Sequence, residues 1–367
     1  MLTDGIVQPP RGVRPAEPRA GGAIAVRVPN WIGDAVLALP AVSALADHFG
    51  DRSVFVLARG PVAPLFVGLP RIADVVRVTE HAAGRLASSR RALQGERPEL
   101  GIVLPHSFST AVELATGGTR ELWGYGGPLR RLVLDVALPP RWLRGRHRWE
   151  AYALLAAAVT GKPVRERYPL SRGSGDVAAA DALFAEAGLR PGDGTPLVGL
   201  VPGAHAASRR WPEARFAELA SRLGREGARV VVLGSAVERE LAARVAAAAD
   251  PAPADWSGRT PLPVLAECFR RFDFLVTNDT GPMHLAAAVG TPLLDLCGAA
   301  NEVVTGPRGP ASEVVVHPLH CRPCVKNTCA YNLGCMTGIG VDRVHALVRA
   351  RIGGTTPGAR GGRPVDW

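Results

Sequence analysis

The 367-residue chain has no run of about 18 uncharged apolar residues, so no transmembrane helix is expected. Its opening stretch, MLTDGIVQPPRGVRPAEPRAGG, lacks an apolar centre, so no secretory signal is expected. Asp-x-Asp occurs nowhere, which removes the paired carboxylates that commonly hold a metal and a diphosphate. There is no Walker A sequence, no Gly-x-Gly-x-x-Gly after the first strand and no His-Glu-x-x-His, so those phosphate, dinucleotide and zinc-peptidase routes are excluded. Acid is in short supply: 33 Asp and Glu face 43 Lys and Arg, a formal net charge of +10, and the excess is almost all arginine. That balance favours anionic partners, whether phosphates, acidic sugars, nucleic acid or a membrane surface, without choosing among them. RNA-binding aromatic signatures are missing, so nucleic acid is not an expected partner.

What is present reads as a soluble α/β protein. Hydrophobic residues make up 47% and charged residues 21% of the chain, an ordinary globular balance, and the length suits two domains. AIAVRV (23–28) reads as a buried strand, followed by a Pro29-Asn30-Trp31-Ile32-Gly33 turn and a helical apolar spacing over 34–49 that Pro40 should kink or restart. SVFVLA (53–58), VVRV (75–78) and GIVLP (101–105) follow as strands, with helical stretches between them. The pattern restarts with LVGLVP (197–202), RVVVLG (229–234), FDFLVT (272–277) and PLLDLC (292–297), again alternating with helices. Alternation of this kind argues parallel sheets covered on both faces. The expected division is a disordered lead-in at 1–21, an acceptor domain at 22–165, a linker region at 166–195 with one helix, a donor domain at 196–352 and a disordered tail at 353–367.

Ligands of open α/β sheets bind at the carboxyl ends of strands, so the loops there are where chemistry is sought. Thr277-Asn278-Asp279-Thr280-Gly281-Pro282-Met283-His284 lies between an apolar strand and an Ala-rich helix. Thr280 and Gly281 would stand at a helix N-terminus that suits a diphosphate, Asp279 would accept sugar hydroxyls, and His284 would point the same way. The alternative is that Asp279 or Thr280 merely caps the helix. Gly203 follows the strand ending at Val201, and Ser208 and Arg209 come shortly after, offering close backbone approach and a bidentate cation to a phosphate; a solvated basic turn is the alternative. Gly234 and Ser235 follow the next strand as a weaker nucleotide-contacting loop. In the first turn of the chain, Asp34 is a lone carboxylate that can act as a general base or simply sit at a helix N-terminus.

PNWIGDAVLALPAVSAL, PGAHAASRRWPEARFAELA and VTNDTGPMHLAAAVGTPLLDLCGA together resemble, in order and spacing, the heptosyltransferases of glycosyltransferase family nine, over about Ala23 to Val348. The resemblance implies a GT-B fold, two Rossmann-like doubly wound domains facing across a cleft. It implies an inverting enzyme that uses ADP-heptose as donor and the inner core of lipopolysaccharide as acceptor, in the cytoplasm, with no cofactor needed for catalysis. Asp34 matches the family's base, Asp279 the carboxylate that binds heptose, and Thr280, Gly281 and His284 the loop around the diphosphate. Arg209 stands where the family usually has a lysine, which keeps the charge and changes the geometry. The first turn and the cysteine-rich segment look more like the second heptosyltransferase than the first. A related enzyme acting on a small natural product or a protein, and a GT-B sugar-nucleotide epimerase, are the alternatives.

Two features are left open. Arg130, Arg131, Arg144 and Arg146, interleaved with Trp142 and Trp149, would grip an anionic core saccharide, rest on the inner membrane face as a peripheral contact, or form a solvated basic loop. Cys321, Cys324, Cys329 and Cys335 would hold one structural Zn or Fe, or serve as packing thiols or a disulfide. Cys268 and Cys297 read as small core hydrophobes.

Overall fold

A computed structural model describes residues 5–79, 82–309 and 311–353. They form two compact units that divide between Ser171 and Arg172. The first contains β1 (Ile6–Val7), β2 (Ile24–Arg27), α1 (Ile32–His48), β3 (Val54–Arg59), β4 (Asp74–Val78), α2 (Ala82–Leu93), β5 (Leu100–Val103), α3 (Phe108–Thr116), β6 (Glu121–Tyr125), β7 (Val136–Leu138), α4 (Arg148–Thr160) and β8 (Val164–Arg165). The second contains α5 (Ser174–Glu186), β9 (Leu197–Val201), α6 (Glu213–Arg225), β10 (Arg229–Val232), α7 (Arg239–Ala247), β11 (Ala254–Asp255), α8 (Leu262–Phe269), β12 (Phe274–Asn278), α9 (Gly281–Ala288), β13 (Leu293–Leu296), α10 (Glu302–Thr305), β14 (Ser312–Val315), α11 (Gly334–Thr337) and α12 (Val341–Ile352).

Each unit is built on one six-stranded parallel sheet. The orders are β4-β3-β2-β5-β6-β7 and β11-β10-β9-β12-β13-β14, the same winding repeated. The central strands are apolar on both faces because helices cover both, and β2, β5, β9, β12 and β13 are buried along their whole length. In the second unit α6, α7 and α12 close one face over Val198, Leu200, Val232, Phe274 and Val276.

Strands β1, β6, β7, β8, β11 and β14 are absent from the sequence expectation. β6 carries Trp and Gly in a short run, and β7 is three residues long, so neither gives a clear periodicity. Helix α1 runs through Pro40 as one assigned helix rather than two.

The lead-in differs from expectation over its described part. Ile6 and Val7 pair antiparallel with Arg165 and Val164, and the Ala16 amide donates to the Val159 carbonyl at 2.9 Å. Val7 and Ala16 are buried, so a few apolar residues in a polar stretch suffice to lay it along α4 and β8. Residues 1–4 and the tail from 354 onward lie outside the described residues. The expected linker region holds α5, which packs on α8 and belongs to the second unit.

Candidate active site

Each sheet reverses its winding at one point, between β2 and β5 in the first unit and between β9 and β12 in the second. The loops at the carboxyl ends of those strand pairs are where a doubly wound sheet takes its ligands. The sequence-predicted residues Asp34, Gly203, Ser208, Arg209, Asp279, Thr280, Gly281 and His284 all follow these four strands or open the helices after them.

In the second unit Asn278 ends β12 and ties the two switch-point loops together. Its amide nitrogen donates to the Pro202 carbonyl at 2.7 Å, and the Trp211 amide donates to its Oδ1 at 3.0 Å. Beside it, Arg209 Nη1 donates to Asp279 Oδ2 at 2.8 Å. Asp279 is only 3% exposed, and burial pushes its carboxyl above the usual range while the Arg209 guanidinium opposes the rise. Thr280 is the N-cap of α9, with extended backbone, but its side chain makes no capping hydrogen bond. Asp279 is turned to Arg209, and the positive end of α9 receives no hydrogen bond from its own N-cap side chain. His284 lies one turn into α9 and is buried.

Four expected donor contacts are placed differently. Ser208 is buried, its hydroxyl donates to the Lys326 carbonyl and its amide to the Asn327 carbonyl at 3.1 Å, so it anchors the cysteine-rich segment instead of facing a ligand. At Gly203 an added Cβ would lie 2.1 Å from Glu238 Oε1, so the space this glycine opens is filled by that carboxylate. Glu238 is held there by the Ser235 amide at 2.8 Å and hydroxyl at 2.7 Å, a capping box at the start of the turn Ala236–Glu238. Ser235 is thus a cap, while Gly234 meets nothing closer than 3.4 Å and has no steric need to be glycine.

In the first unit the turn after β2 is built around a buried ion pair. Arg27, on β2 itself, donates from Nε to Glu113 Oε2 of α3 at 2.6 Å, and from Nη2 to Asn30 Oδ1 at 2.8 Å. The guanidinium thereby fixes the turn that leads into α1. Asp34 sits in the first turn of α1 with its side chain 29% exposed. Arg148 Nε stands 3.6 Å from its Oδ1, and the Asp34 charge acts on the neighbouring Tyr152 phenol. Arg148 and Tyr152 are four residues apart on α4, hence on one face, and α4 packs directly on α1. Burial and the Asp34 charge hold the Tyr152 phenol well above its ordinary value. His106, in the loop after β5, lies edge-on to Tyr125 with centroids 5.4 Å apart; burial, then Arg148 and Arg130, lower it to about 4 and keep it neutral.

The sequence profile of glycosyltransferase family 9 (heptosyltransferase) matches residues 86–333. The chain belongs to glycosyltransferase family 9. It is similar to lipopolysaccharide heptosyltransferase 2 of Salmonella typhimurium, 28% identical over 306 residues that cover 78% of this chain and 86% of the relative. Its fold matches the solved ADP-heptose lps heptosyltransferase II of E. coli at a TM-score of 0.74 and 24% identity, covering 90% of this chain and 98% of the other. It also matches the family 9 glycosyltransferase of Veillonella parvula at a TM-score of 0.79 and 19% identity, covering 92% and 99%. The fold is therefore GT-B with two Rossmann-like units, and the protein is a glycosyltransferase.

Two readings of this family 9 chain change with the structure. Among the described residues no three of the His, Cys, Asp and Glu side chains are placed to hold a metal ion. Cys335 is buried in the core of the second unit with Met336 and Ile339 while Cys329 is exposed, and all of Cys321, Cys324, Cys329 and Cys335 are free thiols. A Zn or Fe centre is therefore unsupported among the described residues. The segment packs on the loop after β13: Arg322 donates to the Gly298 carbonyl at 2.5 Å and to Glu302 at 3.0 Å, and the Val325 amide to the Ala299 carbonyl at 2.8 Å. Arg130, expected at the acceptor, is buried and donates to the carbonyls of Tyr125, at 2.7 Å, and Ser107. It is a brace, whereas Arg131, Arg144 and Arg146 are exposed.

Pattern reading placed Arg148 only in a basic stretch and missed Tyr152, Arg27 with Glu113, and Asp295. The first two carry a usable signal, an i, i+4 polar pair on an otherwise apolar helix. Asp295 is fully buried on β13, and neither carboxylate oxygen has a hydrogen-bond partner. Burial, then the charges of Asp279 and Glu302, push it well above the usual range.

Proposed function

We propose that this family 9 enzyme transfers L-glycero-D-manno-heptose from ADP-heptose onto the inner core of lipopolysaccharide, with inversion at the anomeric carbon. The donor diphosphate takes the N-terminal end of α9 and the Arg209 guanidinium, and the sugar hydroxyls take Asp279. Asp34 is the general base. As the acceptor oxygen bonds to the anomeric carbon, the bond from that carbon to the donor phosphate oxygen breaks, the electron pair leaves with ADP, and the hydroxyl proton passes to Asp34. Tyr152 and Arg148 orient the carboxylate. The proton leaves late, once the new C–O bond is forming. The displacement needs no redox or group-carrying cofactor. We place it in the cytoplasm, beside the membrane leaflet that carries a lipid-anchored acceptor.

The observation that supports this reading most is the end of α9, where an N-cap side chain that makes no capping bond stands beside the part-buried Arg209–Asp279 pair. The test is incubation of the purified protein with ADP-heptose and heptose-deficient core saccharide, read by mass spectrometry. One heptose added to the core is expected; binding of the donor with no gain in saccharide mass would overturn the acceptor assignment.

A further inference from the structure

The loops after β6 and β7 carry an apolar, basic surface that nothing in the transfer reaction uses. The turn Arg130–Leu132 follows β6, and Leu129 and Leu132 are 58% and 80% exposed. The turn is a 3₁₀ helix, with three residues per turn, so positions three apart eclipse and the two leucines share one face. Arg130 makes that face point outward: its buried guanidinium pins the turn to the Tyr125 and Ser107 carbonyls. Ser107 precedes Phe108, another exposed apolar side chain on the same edge of the sheet. After β7 comes a second 3₁₀ turn, Pro140–Leu143, with a part-exposed Trp142.

The charge around these side chains has one sign. Arg131, Arg141, Arg144 and Arg146 are exposed, and none makes an ion pair with a described carboxylate. Between Glu121 and Glu150 the sole acid is Asp135, whose Oδ2 already accepts from the Leu122 amide at 2.8 Å. Arg11 and Arg14 of the N-terminal segment line a groove together with Trp142. In a parallel sheet all carboxyl ends lie on one edge, so these loops are on the edge of the first unit that also presents Asp34.

We propose that this surface docks the enzyme on an anionic phospholipid bilayer. Leu129 and Leu132 enter the boundary between headgroups and acyl chains, Trp142 sits at the headgroup level, and the arginines face lipid phosphates. Exposed leucines without basic neighbours would serve protein contacts as well; leucines in a segment this rich in arginine match a negatively charged apolar interface. Arg131, Arg144 and Arg146 are thereby lipid-facing rather than core-saccharide ligands. The docking brings Asp34 to the leaflet and so deepens the proposed acceptor, resting on that reading only for its purpose.

The experiment is flotation of the full chain with vesicles of phosphatidylcholine, with and without phosphatidylglycerol, at physiological salt, and needs neither donor nor acceptor. Wild type is expected to float with the anionic vesicles alone. L129D/L132D should reduce that binding at least tenfold and each arginine-to-glutamine change by roughly fivefold. L129D/L132D should keep full turnover on a delipidated core saccharide and lose turnover on the same core embedded in vesicles. No flotation of wild type, or equal flotation of the leucine variant, overturns the proposal. So does a dimer by light scattering that the leucine variant dissolves, which would give the surface to a second copy of the chain. Flotation without any heptosyl transfer would leave the docking surface standing and remove the proposed reaction instead.

Discussion

Arg209 and Asp279 meet at 2.8 Å across 70 residues of sequence, joining the loop after β9 to the loop after β12. Arg209 is 30% exposed and Asp279 only 3%, so the pair has one wet member and one dry one. Removing the arginine strands a buried carboxylate, and Arg209→Ala is expected to cost about 3–5 kcal/mol of stability in addition to donor binding. Asp279→Asn keeps the volume and removes a charged acceptor worth about 1.5–3 kcal/mol. Its kcat/KM for the donor should fall about tenfold to a hundredfold at an unchanged melting temperature. Wild-type donor kinetics in a folded Asp279→Asn protein would take Asp279 out of the donor site.

Asp34 is the residue on which the proposed mechanism rests. Asp34→Asn should bind ADP-heptose normally and lose kcat by roughly 10²–10⁴, the usual worth of a positioned base. Tyr152→Phe removes the phenol hydroxyl beside that carboxylate and should lower kcat far less, because it leaves the base in place. Pre-steady-state turnover of both variants decides the point: near-normal rates in Asp34→Asn return that residue to helix capping.

Asp295 gives the fold a pH dependence. In the folded chain its carboxyl is raised by burial, whereas in the unfolded chain it titrates near the ordinary aspartate value of about 3.9. Below that value both states hold the proton. As pH rises above it the unfolded chain releases the proton while the buried group keeps it, so stability falls with rising pH until the folded value is passed. Asp295→Asn should therefore melt higher than wild type at neutral pH, by about 2–4 °C per kcal/mol removed, and converge with it below about pH 4. Parallel melting curves across that range would show that Asp295 is charged and paired.

The cysteines should report their burial. Burial pushes the Cys268 thiol up to about 12 and raises Cys297 further, and Cys335 lies in the core. A thiol reagent at neutral pH is expected to label Cys329 first, since it is exposed, and the three buried thiols only on unfolding. Elemental analysis of protein purified without chelator should find no stoichiometric Zn or Fe; one ion per chain would mean that the 321–335 segment takes up a different arrangement around metal.

Much of this protein was legible because its signals are local. A β-branched run flanked by turn residues is a buried strand wherever it sits, so β2, β3, β5, β9, β10, β12 and β13 could be read directly. The strand-to-helix turns that follow them placed Asp34, Arg209, Asp279 and Thr280 at the carboxyl edge without any coordinates. Short β7 and the mixed β6 gave no period, and the sparse apolar residues of the lead-in gave no hint that Ile6 and Val7 would find β8.

What sequence by itself determined is the pair of parallel sheets and the loops that carry the chemistry, since strand direction and winding follow from alternation along the chain. What only tertiary structure decided is which polar groups meet. Ser208, Gly203 and Arg130 look like ligand contacts in a string of letters, and packing assigns each to an internal partner: Lys326, Glu238 and the Tyr125 and Ser107 carbonyls. Tyr152 and Arg148 look like ordinary helix residues, and the packing of α4 on α1 brings them to Asp34. The physical reason is that a buried polar atom must find its partner in three dimensions, and for side chains that partner is set by which helix faces touch rather than by anything near it in sequence.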